Sequence, residues 1–75
     1  MKESDFMTNI KITTEYITLG QFLKLSHIAP SGGMVKAILQ DYKISVNGVA
    51  DDRRGKKLYP GDKISVKTIG EFRIT

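Results

Sequence analysis

Four cationic side chains lie within five consecutive residues near the middle of the chain: Arg53, Arg54, Lys56 and Lys57, around Gly55. A guanidinium can form paired hydrogen bonds with a phosphate or stack on a base, whereas an ammonium acts as a mobile point charge. The preceding Asn47-Gly48 pair is typical of a tight β-hairpin turn, and Lys43 lies just before it. We therefore expect a basic surface loop beside a rigid turn, which suits a polyanion such as nucleic acid. Two alternatives stay open: a plain solvated loop, and arginines held in place by Asp51 and Asp52.

A second anion-binding arrangement is predicted at Ser31-Gly32-Gly33. Ser31 is a favoured N-cap residue for a following helix. The first N–H groups of a helix lack intrahelical partners and carry the positive end of its dipole. Two glycines would let a phosphate approach those groups, with Lys36 one turn further along. Alternatively, the glycines only permit tight passage between two helices.

Few residues of the chain are suited to catalysis or to metal binding. The sequence has no cysteine and one histidine, His27, whereas a zinc site usually needs four Cys or His ligands. An enzyme needs a nucleophile or an acid–base pair in a pocket, and the carboxylates here are scattered along the chain. We therefore expect a non-catalytic binding protein with no cofactor, metal or small-molecule substrate.

The net charge of +4 arises from one part of the chain. Residues 36–67 hold eight cations and four carboxylates, while the segments on either side each sum to zero. No apolar run approaches the roughly 20 residues needed to cross a bilayer, and the charged N-terminus lacks the apolar core of a signal peptide. The sequence therefore predicts a small, basic, cytoplasmic protein that does not contact membranes.

The first half of the sequence predicts a strand and two helices after a flexible segment over residues 1–9. Alternating β-branched residues favour a strand over residues 10–16. Thr18 and Gln21 have the spacing of a capping box at the start of a helix. The second helix should begin after Ser31, because apolar residues follow at helical spacing.

In the second half, apolar residues recur at every second position. This spacing predicts strands over residues 44–46 and 64–66, with shorter ones at Val49 and at 72–74. We expect one α+β domain over residues 10–75, with two short helices packed on a small, mostly antiparallel sheet of about four to five strands. The aromatic residues predicted to lie in the core or at its edge are Phe22, Tyr42, Tyr59 and Phe72.

These motifs resemble those of a known family. The segment 18–24, the helix start at Ser31, the Ile44-Ser45-Val46-Asn47-Gly48 strand and turn, and Pro60-Gly61-Asp62 are similar to the S-four domain. That domain, also called the alpha-L motif, is an RNA-binding module named after a small-subunit ribosomal protein. The resemblance covers residues 18–66, and the Gly32-Gly33 helix start and the basic loop resemble the small, free-standing bacterial YaaA-like branch.

The resemblance implies a non-catalytic protein that binds structured RNA, either rRNA or tRNA, in ribosome assembly or translation. The predicted contacts are Ser31, Gly32, Gly33, Lys36, Lys43, Arg53, Arg54, Lys56 and Lys57. Thr18 and Gly32 stand where many members have arginine, and Tyr42 where they have glycine, so binding should depend more on backbone groups and on the basic loop. The alternatives are a DNA-associated accessory protein, and an adaptor that adds a strand at residues 71–75 or 10–16 to a partner's sheet.

Overall fold

The computed structural model describes residues 7–75, which form two α-helices and seven strands. In chain order the elements are β1 Met7–Ile10, β2 Ile17–Thr18, α1 Leu19–Leu25, a 3-10 turn Gly32–Met34, α2 Val35–Asp41, β3 Ile44–Val46, β4 Val49–Ala50, β5 Lys57–Leu58, β6 Lys63–Val66 and β7 Gly70–Ile74. No helix within this described part is long and apolar enough to cross a membrane.

The strands form a five-stranded sheet in the order β1-β7-β6-β3-β4 and a separate two-stranded ribbon of β2 and β5. Among the described strands, only β1 and β7 pair in parallel; the other pairs are antiparallel. The predicted α+β fold with a mostly antiparallel sheet is therefore confirmed. Because β7 lies between β1 and β6, it has no free edge, so strand addition at residues 71–74 is not possible in this fold.

The core lies between the helix pair and one face of the large sheet. Leu19, Phe22 and Leu23 of α1 are fully buried, as is Val35 of α2. Alternate residues of the strands supply the other side: Ile44, Val46, Ile64, Val66, Phe72 and Ile74. The rings of Phe22 and Phe72 meet edge to face, with centroids 5.2 Å apart, so they join helix to sheet.

Two local signals predicted from the sequence are confirmed. Thr18 and Gln21 form the capping box: the Gln21 N–H donates to Thr18 Oγ1 (3.2 Å) and the Thr18 N–H donates to Gln21 Oε1 (2.9 Å). Asn47 and Gly48 have φ of 53° and 86°, the positive values that the two central residues of a type I′ hairpin turn require. The Asn47 side chain also donates to Asp62 Oδ1 and accepts from the Lys63 N–H, both at 3.0 Å, so it ties two turns together.

The limits predicted for the first strand were wrong. The strand expected over residues 10–16 lies instead at 7–10, because Thr8 and Ile10 pair with Phe72 and Ile74 at the far end of the chain. Residues 13–15 form a bend before β2. Residues 7–9, which fall within the segment predicted to be flexible (1–9), belong to β1, and residues 1–6 lie outside the described residues.

The second helix and one aromatic residue also differ from expectation. Gly32–Met34 form a 3-10 turn ahead of α2, and Ser31, although it is the N-cap residue, makes no side-chain capping bond. Phe22 and Phe72 are buried and Tyr42 packs at the edge of the core, as predicted. Tyr59, in contrast, is 42% exposed, because its neighbour Leu58 takes the inward position on β5.

Candidate nucleic-acid interface

The basic loop, defined as residues 51–57, is held against the first turn of α1. The Leu19 N–H donates to the Lys56 carbonyl (2.8 Å), and the Gly20 N–H donates to the Arg54 carbonyl (3.0 Å). These helical N–H groups have no partner within the helix itself, so the loop satisfies them. The backbone of Arg54 and Lys56 is therefore fixed by the helix, while the Arg54 side chain remains exposed and Lys56 is half-buried.

Gly20 makes this contact possible, and the sequence analysis did not identify it. A Cβ at Gly20 would lie 3.0 Å from Arg54 Cγ, which is closer than ordinary van der Waals contact, and 3.4 Å from the Arg54 carbonyl oxygen. A glycine in the first turn of an amphipathic helix destabilises the helix. Its presence there indicates that another segment of the chain packs closely against that turn. The glycine alone does not identify its partner, Arg54, which is more than thirty residues away in sequence.

Arg53 is paired with Asp51. Its Nη2 lies 2.8 Å from Asp51 Oδ2 and its Nε lies 3.1 Å from Oδ1, while its backbone N–H donates to Oδ1 at 2.9 Å. The Arg53 hydrogen bonds lower the pKa of Asp51 from 3.8 to about 2, and those bonds raise the pKa of Arg53. The tethered-arginine alternative therefore holds for Arg53, whose charge is already compensated within the loop.

Lys36 lies on α2 opposite the two arginines of the basic loop. Lys36, Arg53 and Arg54 border one depression of about 370 Å³, whose floor includes Leu39. The helix and the loop thus bring together cations that are far apart in sequence. An anion in this depression would meet charges from both elements.

Two neighbouring depressions share Arg53 with the first. One, of about 570 Å³, is bordered by Lys43 and Arg53. The other, of about 450 Å³, is bordered by Arg53, Lys56 and Lys57. The six cations predicted as contacts therefore border three adjoining depressions around a common residue.

Gly32 and Gly33 have a different position. A Cβ at Gly32 would meet no atom within 4 Å, and one at Gly33 would meet only Ser31 Oγ, at 3.9 Å. Tight passage between helices therefore does not explain these glycines. The first backbone bond of the 3-10 turn runs from the Met34 N–H to the Ser31 carbonyl, so the glycine N–H groups precede it. Neither glycine lines the three depressions, although Lys36, one turn further along, does.

His27 lies at the end of α1 in a left-handed backbone conformation, with φ of 64°. Within residues 7–75, no group of three or more His, Cys, Asp or Glu side chains is arranged to hold a metal ion.

The chain belongs to the S4 domain family of RNA-binding domains. Residues 10–75 match the family model described as the S4 domain. Among characterised relatives, the chain is 49% identical over 65 residues to the probable ribosome maturation protein RlbA of Bacillus subtilis (strain 168). That match covers 87% of this chain and 92% of RlbA. No solved structure matches the chain. The family predicted from the sequence is therefore confirmed.

Proposed function

We propose that this protein is a non-catalytic binder of structured RNA that acts in ribosome maturation in the cytoplasm, with rRNA as its most direct target and tRNA as the other candidate. Membership of the S4 domain family supports RNA as the ligand. The name of RlbA, a probable ribosome maturation protein, supports the ribosomal context, because the match covers nearly all of both chains.

The observation that carries this proposal is the docking of the basic loop on α1. Hydrogen bonds from Leu19 and Gly20 fix the loop backbone, so its cations need little reordering when a ligand binds. Lys36 adds a further charge from α2 across the depression it shares with the loop. The proposed contacts are Lys36, Lys43, Arg53, Arg54, Lys56 and Lys57, together with the backbone at Ser31, Gly32 and Gly33.

The number of available cations sets the expected salt dependence. Arg53 is paired with Asp51, whereas Arg54, Lys56 and Lys57 of the loop and Lys36 across the depression form no ion pair with a described residue. About four phosphate contacts correspond to a slope of about −3 to −4 for log affinity against log salt concentration. We expect this slope with deproteinised bacterial rRNA as the probe.

The decisive variant reverses all four cations of the basic loop to Glu: Arg53, Arg54, Lys56 and Lys57. Binding to rRNA should be abolished, because both the attraction and the individual phosphate contacts are lost. The matched control reverses four exposed cations elsewhere to Glu, namely Lys11, Lys24, Lys67 and Arg73, and thus has the same net charge. Titrations by fluorescence anisotropy, with circular dichroism to verify folding, separate a local site from a general charge effect.

The control variant should retain most of the affinity. Equal losses in the two variants would show that only net charge matters, and unchanged affinity in the loop variant would refute the proposed site. A DNA duplex titrated at the same salt concentration completes the experiment, because only RNA offers 2′-hydroxyl groups. Tighter binding to the duplex than to folded RNA would favour the DNA-associated alternative.

A further inference from the structure

The β2–β5 ribbon has a buried face and an outward face. Ile17 pairs with Leu58, and both side chains are buried. Since side chains alternate along a strand, the residues on either side of this pair point outward. Extending the antiparallel register by one position places Tyr16 opposite Tyr59, so the ribbon presents two tyrosines next to each other.

The two rings form an accessible aromatic surface. Their centroids are 5.6 Å apart with an angle of 47° between the planes, and Tyr16 and Tyr59 are 37% and 42% exposed. Lys57, the outward residue on β5, places its Nζ 5.0 Å from the centroid of the Tyr16 ring. This lysine makes a cation–π contact with Tyr16 and also brings a positive charge to the edge of the aromatic pair.

The aromatic pair continues directly into the basic loop. Tyr59 borders the same depression as Arg53, Lys56 and Lys57. A phosphate bound by the two lysines would therefore lie next to the tyrosine pair. Exposed aromatic side chains next to a cationic groove are the arrangement by which proteins bind unpaired nucleotides, because any base can stack on such a ring.

We propose that Tyr16 and Tyr59 form a stacking platform for an unpaired RNA base whose phosphate contacts Lys56 and Lys57. This inference rests on the proposed RNA-binding function and specifies the ligand further: the RNA carries a loop or bulge at this point. Bases within a regular duplex are already stacked on their neighbours and do not reach the rings. The two tyrosines also stabilise the ribbon as cross-strand neighbours. The experiment must therefore distinguish loss of this stability from loss of base stacking.

The test compares two RNA probes: a hairpin with an unpaired uridine loop, and a blunt duplex with the same stem sequence. The variant Tyr16→Thr/Tyr59→Thr removes both rings and keeps residues that favour strands. It should bind the hairpin about ten-fold more weakly and the duplex as the wild type does, since stacking is lost only where a base is unpaired. The matched control, Tyr16→Phe/Tyr59→Phe, keeps both rings and should retain the wild-type affinity for the hairpin.

Tyrosine emission gives a second readout that does not require the Thr variant to fold. The chain has no tryptophan and three tyrosines, so a Tyr42→Phe protein emits only from Tyr16 and Tyr59. Stacking of a base on either ring should quench this emission when the hairpin is added, and the duplex should leave it unchanged.

The outcomes separate the two proposals. If the wild type binds neither the hairpin nor the duplex, the platform is refuted, and the rRNA titration described above decides the proposed function separately. If it binds the hairpin without quenching, or the Thr variant loses equal affinity for hairpin and duplex, only the platform is refuted. The platform is supported if the Thr variant loses affinity for the hairpin alone and the hairpin quenches the tyrosine emission.

Discussion

Replacing Asp51 with Asn tests how much of the basic loop's charge is available to a ligand. Asp51 holds the Arg53 guanidinium at 2.8 and 3.1 Å, so the pair contributes little net charge. The amide oxygen of Asn can still accept the Arg53 backbone N–H, which now donates to Asp51 at 2.9 Å. The loop should therefore keep its shape while Arg53 is released.

The magnitude follows from the pKa of Asp51. A decrease from 3.8 to about 2 corresponds, taken in full, to about 2 kcal/mol of native-state stabilisation. Because the Arg53 side chain is 69% exposed, solvent screening reduces this to about 1 kcal/mol. Asp51→Asn should thus lower the free energy of unfolding by about 1 kcal/mol at neutral pH, measured by urea denaturation.

The pH dependence has a definite sign. Since the native pKa of Asp51 is lowered, the pair stabilises the fold above the ordinary pKa of 3.8, and the stabilisation is lost as the pH falls towards about 2. The difference in unfolding free energy between wild type and Asp51→Asn should therefore disappear across that interval. RNA binding should change in the opposite direction to stability: one further phosphate contact makes the salt slope steeper by about 0.9 and the binding tighter at low salt.

Asp52→Asn is the matched control, because it makes the same change in net charge at the next position. Asp52 acts on Arg53 only through its charge, without the hydrogen bonds that Asp51 makes. It should leave the unfolding free energy nearly unchanged and steepen the salt slope less than Asp51→Asn does. If the two variants behave alike in both assays, Arg53 is not held by Asp51 and the reasoning fails.

Two further predictions concern glycines. Gly20→Ala places a methyl group 3.0 Å from Arg54 Cγ and should weaken rRNA binding by displacing the loop. The control Gly55→Ala, whose methyl group meets no atom within 4 Å, should leave binding unchanged. Equal affinities in the two variants would contradict this prediction. Gly32→Ala should raise the free energy of unfolding by about 0.4–1 kcal/mol, because it restricts the unfolded chain and meets no atom in the fold. It should also weaken rRNA binding if phosphate contacts this backbone, and unchanged affinity would remove Gly32 from the proposed contacts.

Features encoded by neighbouring residues were predictable from the sequence. The capping box at Thr18 and the hairpin at Asn47-Gly48 each depend on residues a few positions apart, and both are confirmed. The α+β class followed from the spacing of apolar residues, which changes after α2 from helical spacing to every second position. The resemblance to the S4 family depended on the same local motifs and is also confirmed.

Features that depend on distant contacts were not predictable in this way. The position of β1 is set by β7, so the alternation over residues 10–16 alone gave the wrong limits. The contact between Gly20 and Arg54 joins a helix to a distant loop, and no sequence pattern identifies the partner. The exposure of Tyr59 was missed because β5 has only two residues, too few to show which of them faces inward.

The parallel pairing of β1 with β7 has a consequence for how the molecule is made. A ribosome synthesises Met7 early and its pairing partner Glu71 only near the end of the described chain, so the first strand must wait for almost the entire polypeptide. Phe72 and Ile74, the buried residues of β7, arrive equally late. The sheet therefore cannot be completed before β7 has been synthesised, and a polypeptide without β7 would lose the strand that joins β1 to β6.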